Sequence, residues 1–401
     1  MEYQPEEIFR LLLEYCRIRN WSGYDPYDAL NSKVFAALPL SRSKIAGVAL
    51  TQIVKRSPVN LRKLLNVAPT PNAKGLALGL SAVLKAFGRE NIGQSRHLID
   101  PLIQGIIALR SANIKYWCWG YSFPWQGRSV IVPRNSPNLV STVFVAESLI
   151  DLYEYCGNSQ YLEMAISAAE YIVDELYWES SVDAGFSYPT SSIRNQVHNA
   201  NYIAAALLCR VYAHTRREQF LNACMRSARA SSKEQRNEGS WVYGKGKSQQ
   251  WIDNFHTGFN LCALKAITHR TGTHEFKPHI ERGYEFYRKK FIREDGAPRY
   301  FHDATYPIDI HCVAQSIITL STFEEDYPGS INTAAAVLSW AMNHMWDKGG
   351  FFYYRVLRYL KIRTSYMRWG QAWMLLALAT YMFAKKRAFP KCSNKEIAAT
   401  C

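Results

Sequence analysis

A repeated loop-and-helix unit constrains this chain more than any other feature. An aromatic loop followed by an apolar run rich in small residues recurs about every 55 to 60 residues, a period that marks stacked supersecondary units. The loops read Trp119-Gly120-Tyr121, Gly185-Phe186-Ser187-Tyr188, Gly239-Ser240-Trp241-Val242-Tyr243, Gly296 to Tyr300, and Gly350-Phe351-Phe352-Tyr353. After each loop a polar residue opens the next apolar run, in order Asn138, His198, His256, His311 and Arg368. The period implies helix pairs that present the same end of successive helices to one opening.

The runs themselves sort into two kinds. Inner helices, apolar around most of their circumference, are expected near 73–88, 137–156, 197–214, 255–270, 309–323 and 365–384. Outer helices, with one charged face, are expected near 43–56, 93–110, 159–178, 217–232, 276–292 and 330–345. Ala204 to Leu208 and Trp373 to Ala379 are typical of the first kind, and His279 to Lys290 of the second. Gly75 to Leu80 carries small residues that permit close helix approach. A helix over Pro5–Ile18, with Ile8, Leu11, Leu12 and Tyr15 on one face, precedes them. The pattern predicts an all-α ring over 43–385, led by an N-terminal helix and irregular stretch (1–42) and followed by a basic tail (386–401). No convincing strand alternation is seen.

Charge and cysteine usage narrow the partners. With 48 Lys and Arg against 33 Asp and Glu the net charge is +15, which draws anions. Acidic glycans, nucleotide sugars, lipid diphosphates and anionic membrane all qualify; no zinc finger, RNP motif or other nucleic-acid module is present, so nucleic acid is not expected, and the partner taken forward is an acidic oligo- or polysaccharide or its precursor. Nine Cys with no CxxC pair, several in apolar runs such as Cys209 and Cys262, resemble buried thiols of a reducing compartment. The start, MEYQPEEIFR, has no apolar signal core, and no apolar run approaches the ~20 residues of a spanning helix. A cytoplasmic location is expected. The five Lys and Arg between Lys385 and Lys395 allow weak contact with a membrane surface.

Chemistry is sought at the openings, where helix N-termini offer free N–H groups and partial positive charge. His198, His256 and His311 fall at the same phase of three consecutive repeats. Imidazole is the usual acid or base near neutral pH, although a His at a helix end also serves to cap or bond that end. Asp253, Asn254, Asp309, Asn138 and Asn199 sit beside them, and each residue type is also a preferred helix cap. One reading is proton abstraction next to a sugar carboxylate. His256 and His311, with His198 and Tyr366 as further candidates, supply acid and base. Arg368, Arg134 and Asn254 hold the carboxylate. A second reading is hydrolysis by Asp253 and Asp309, whose helices would lie about 8–10 Å apart, a separation that suits an inverting mechanism. A zinc site would need His198, His256 and His311 to converge; no HExxH or CxxC motif supports one, and no metal or cofactor is expected. Trp119, Trp125, Trp241 and Trp369 either stack on sugar rings or wedge hairpins together.

Six inner helices inside six outer ones resemble the (α/α)6 toroid. Many glycoside hydrolases, uronate lyases and sugar epimerases share that fold, as do terpene cyclases and protein prenyltransferases. The openings His198-Asn199-Ala200-Asn201-Tyr202 and Asn254-Phe255-His256-Thr257-Gly258-Phe259-Asn260 look most like those of cytoplasmic proteins from bacterial polysaccharide-assembly clusters. The resemblance implies a carbohydrate-active enzyme, with lyase or epimerase chemistry ahead of hydrolysis. By that resemblance, toroid uronidases need a particular Asp pair on earlier helices, and here Asn138 and Asn199 stand nearby. A non-catalytic glycan-binding protein of the same fold is a further alternative. An isoprenoid enzyme is another, against which stands the lack of DxDD and DDxxD motifs.

Overall fold

A computed structural model describes residues 4–88, 92–126 and 131–389. Fourteen α-helices dominate the described residues: α1 Pro5–Arg17, α2 Lys33–Ala36, α3 Lys44–Arg56, α4 Ala73–Phe87, α5 Ile92–Ala108, α6 Leu139–Cys156, α7 Ser159–Tyr171, α8 His198–Thr215, α9 Glu218–Ser232, α10 Asn254–Thr271, α11 Lys277–Phe291, α12 Ile310–Thr322, α13 Ser330–Met345 and α14 Ala372–Ala388. A π turn, Met367–Gln371, leads into α14. The even-numbered helices from α4 to α14 form the inner ring. Each packs on the next, and α14 packs back on α4, so the ring closes. The fold is an (α/α)6 toroid.

Five outer helices stand where the sequence placed them, α5, α7, α9, α11 and α13 each packing on the inner helix before it in the chain. The sixth does not. α1 packs against α14 and is the outer member of that pair. The 43–56 helix, expected to be the first outer helix, instead packs on the Asp28–Asn31 and Pro39–Arg42 turns and on Trp125–Gln126. The strands are two or three residues long and lie in the loops, where backbone groups between helices need partners. They include Tyr177–Glu179 with Ala184–Phe186, and Ile308–Asp309 with Arg355–Val356 and Lys361–Ile362.

Inner helices are buried because other helices surround them. In α8 every residue from His198 to Val211 is buried. Small residues let the rings close: a Cβ on Gly79 of α4 would come 2.4 Å from the Trp21 ring. Four of the six inner helices begin on side-chain caps. Asn72, Asn138, Asp253 and Asp309 accept from the backbone N–H of Lys74, Ser141, His256 and His311, each cap contributing about 1 kcal/mol. α6 and α10 end on left-handed Gly157 and Gly272. Among the described residues seven cysteines are free thiols, and no helix is long and apolar enough to cross a membrane.

Candidate active site

The loops before the inner helices enclose a cavity of about 330 Å³ at the N-terminal end of the ring. Its walls are aromatic. Tyr121, Phe123, Trp125, Tyr188, Tyr243, Trp251, Tyr300 and Phe301 line it. Tyr27 of the lead-in lies against the mouth, with Phe255, Phe259 and Trp369 deeper. Burial pushes the phenols of Tyr121, Tyr188, Tyr243 and Tyr300 upward, so they stay protonated and present O–H groups. The polar groups facing the cavity are Lys74, Asn199, Asp253, His256, His311 and Arg368.

His256 is the third residue of α10. Its Nδ1 lies 2.7 Å from Asp253 Oδ2, which also accepts from Trp251 Nε1 at 2.9 Å. The other Asp253 oxygen accepts from the His256 backbone N–H at 3.0 Å. One buried carboxylate thus caps the helix and orients the imidazole, which leaves Nε2 outside that pair. The His256 side chain is 20% exposed and reachable from solvent.

His311 is the second residue of α12 and is buried at 1% exposure. The Phe255 ring touches both imidazoles, with centroids 4.1 Å from His256 and 4.7 Å from His311. Trp369 and Trp373 close on His311 at 4.5 and 4.7 Å. Neither His311 ring nitrogen has a hydrogen-bond partner in the protein. Such an orphaned polar group in a cavity wall is a position for a ligand to satisfy. Burial, then Lys74 and Arg368, hold its pKa well below 6.5, so it is a neutral imidazole at pH 7.

The cations differ from the expectation of a positive bowl. Arg368 points inward but is already bidentate to Asp25, Nε to Oδ2 at 2.6 Å and Nη2 to Oδ1 at 2.8 Å. Arg355 is likewise held by Asp309 at 2.6 Å. Lys74, from the first turn of α4, sits over the Phe144 ring at 4.2 Å with no carboxylate bonded to it. Burial, then Arg368, depress its pKa well below 10.5.

Of the residues the sequence singled out, the cavity gathers His256, His311, Asp253, Asn199, Arg368, Trp125 and Trp369. The others lie elsewhere. His198 turns into the α8–α9 interface, its Nδ1 3.3 Å from Ser231 Oγ. Asn254 bonds Ser316 and Tyr287 on the outer side of α10. Asp309 faces Arg355 and the Trp369 indole N–H. Tyr366 lies beneath the Arg62 guanidinium, away from the cavity. Asn138 is an N-cap, and Arg134 is exposed. Trp119 and Trp241 are wedges that donate to Ile106 and Ser231 carbonyls. The three histidines therefore do not converge, and among the described residues no group of His, Cys, Asp and Glu is arranged to hold a metal. Lys74, Asp25 and Tyr27 are absent from the sequence-derived set, whereas Tyr121, Tyr188, Tyr243 and Tyr300 come from the aromatic loops that the repeat marks.

No family model matches the sequence, and no curated protein matches it. Solved structures do. The protein Lin0763 from Listeria innocua superposes with a TM-score of 0.63 at 13% identity, over 96% of this chain and 99% of that one. Cellobiose 2-epimerase from Bacillus thermoamylovorans B4167 gives 0.59 at 12% identity, over 79% and 88%. The family 76 alpha-mannanase BT2949 from Bacteroides thetaiotaomicron gives 0.57 at 12%, over 80% and 87%. At such identities the likeness fixes the toroid fold alone.

Proposed function

We propose that the chain is a carbohydrate-active enzyme that moves a proton at the carbon next to a sugar carbonyl, as an isomerase or epimerase does. The observation that carries this reading is the pair of imidazoles in one cavity, one oriented by a carboxylate and the other neutral with both nitrogens unpartnered. His256 Nε2 takes the C–H proton, and Asp253 stabilises the imidazolium that forms. Charge builds on the carbonyl oxygen, where neutral His311 donates an N–H, a role suited to an imidazole whose pKa is pushed down. Return of the proton from His256 to the adjacent carbon, with the hydroxyl proton passing to the former carbonyl oxygen, gives the isomer; turning of the enediolate in the cavity before the proton returns to the same carbon gives the epimer. The tyrosine and tryptophan faces supply stacking for sugar rings. The cavity volume is at the lower end of the roughly 300–1,000 Å³ of small-molecule sites, which suits a mono- or disaccharide.

The fold's occurrence in a 2-epimerase is consistent with this chemistry, and its occurrence in a mannanase is equally consistent with hydrolysis. Two-carboxylate hydrolysis is less favoured because Asp253 is the single carboxylate among the lining residues and is committed to His256. A carboxylate on the substrate fits best against Lys74, whose ammonium it would stabilise; Arg368 already has its counter-charge. The test incubates the protein in D2O with neutral aldoses and ketoses and with uronates. Deuterium entering the carbon beside the carbonyl supports the reading. Unsaturated-uronate absorbance, or new reducing ends without exchange, would replace it with elimination or hydrolysis.

A further inference from the structure

Helix α3 is apolar on the face it shows to solvent. Gly47, Thr51 and Val54 point inward and are buried, with Gly47 against Gln126 and Leu30. Ile45, Ala49 and Ile53 follow at four-residue spacing on the outer side, where charge is the rule. Ile45 is 84% and Ile53 59% exposed. The neighbouring turns add Leu40, Val59 and Leu64, exposed at 62%, 66% and 78%. These segments are neighbours in the fold. The Pro39–Arg42 turn packs on α3, and the 61–66 turn is tied to the start of α2 by the Ser32 Oγ to Leu65 O bond.

The charge these segments carry has one sign. From Ala29 to Arg89 the sequence contains no Asp or Glu. Lys33, Arg42, Lys44, Arg56 and Lys63 are exposed there, and none forms an ion pair among the described residues. Exposed aliphatic side chains flanked by uncompensated Lys and Arg are the composition of a surface that lies in the headgroup region of an anionic bilayer. A second copy of the chain would bring like charges together. Protein hot spots favour Trp, Tyr and Arg, whereas the apolar members here are all aliphatic.

We propose that this face docks on an anionic lipid bilayer, which brings the cavity mouth to the membrane surface. α3 lies beside that mouth: Lys55 Nζ bonds Tyr27 Oη at 2.7 Å, Gln126 Nε2 bonds Lys44 O at 2.8 Å, and Tyr27 and Trp125 line the cavity. The attachment is peripheral. It is independent of the chemistry proposed above, since it is measured without any sugar. The full chain is sedimented with phosphatidylcholine vesicles, with and without phosphatidylglycerol, at low and high salt. Binding to the anionic vesicles alone, weakened by salt, is expected. Ile45→Gln/Ile53→Gln and Lys44→Glu/Arg56→Glu should each lower it at least tenfold with an unchanged circular dichroism melt. No binding to anionic vesicles overturns the proposal. So does binding that these variants leave intact but removal of residues 390–401 abolishes, or a dimer in analytical ultracentrifugation that the same variants dissociate.

Discussion

Removing the Asp25 carboxylate should destabilise the protein far more than an average substitution. Asp25 and Arg368 are 343 positions apart and join the lead-in to the last inner helix. Both are buried, at 5% and 4% exposure. The carboxylate accepts two guanidinium bonds and the Tyr27 backbone N–H. Asp25→Ala leaves a guanidinium that cannot shed its proton in a buried wall without a counter-charge, at a cost of about 3–5 kcal/mol. With a urea dependence of about 3 kcal/mol per molar, the unfolding midpoint should fall by roughly 1–2 M. The double variant Asp25→Ala/Arg368→Met removes both charges and should recover at least half of that loss, because its partners couple. Equilibrium urea unfolding followed by circular dichroism measures all four corners of the cycle. A cost below about 1 kcal/mol for Asp25→Ala, or strictly additive effects, would refute a buried pair that ties the lead-in to the ring.

Three other outcomes follow from the same coordinates. His198 has its pKa lowered to about 4, chiefly by burial. Between that value and the unfolded ~6.5 the unfolded chain binds the extra proton, so stability present above pH 6.5 falls as pH drops, by about 2 kcal/mol from pH 7 to pH 5; His198→Gln should flatten that slope in urea titrations, and an unchanged slope would remove its cause. Lys74→Met should raise stability by about 1–3 kcal/mol, since it removes a buried amine that burial disfavours, while weakening sugar binding; a destabilised variant with normal binding would show that Lys74 is structural. Trp241→Ala, which empties a wedge at 2% exposure, should cost about 3–5 kcal/mol yet leave exchange chemistry per folded molecule intact; loss of chemistry at full folding would place Trp241 in the site.

The inner ring was legible because its apolar runs and opening residues are local signals. The 197–214 and 255–270 expectations differ from α8 and α10 by a residue at either end. The outer partner of α14 was not legible. α1 reaches it across nearly the whole chain, and amphipathic spacing states that a helix packs without stating on what. The histidines show how a shared phase misleads. His198, His311 and His256 are the first, second and third residues of their helices, and each step turns a side chain by about 100°. His198 therefore meets α9, while the other two meet the cavity. Lys74 stayed hidden inside an apolar run that reads as core, and Asp25 and Tyr27 inside a stretch with no periodicity. Arg368 was found from its position, but its partner lies too far away in sequence to reveal that its charge is already matched.

The proposed chemistry needs His256 and His311 to act on one sugar in one cavity. Its most direct test is the rate of solvent deuterium entry beside the carbonyl of an accepted sugar, compared between the wild type, His256→Ala, His311→Ala and His198→Ala. A fall of about 10²- to 10⁴-fold in the first two variants, with His198→Ala close to wild type, is predicted. Exchange that survives loss of His256 and His311, or that disappears with His198 alone in a folded protein, would rule out the two-imidazole chemistry.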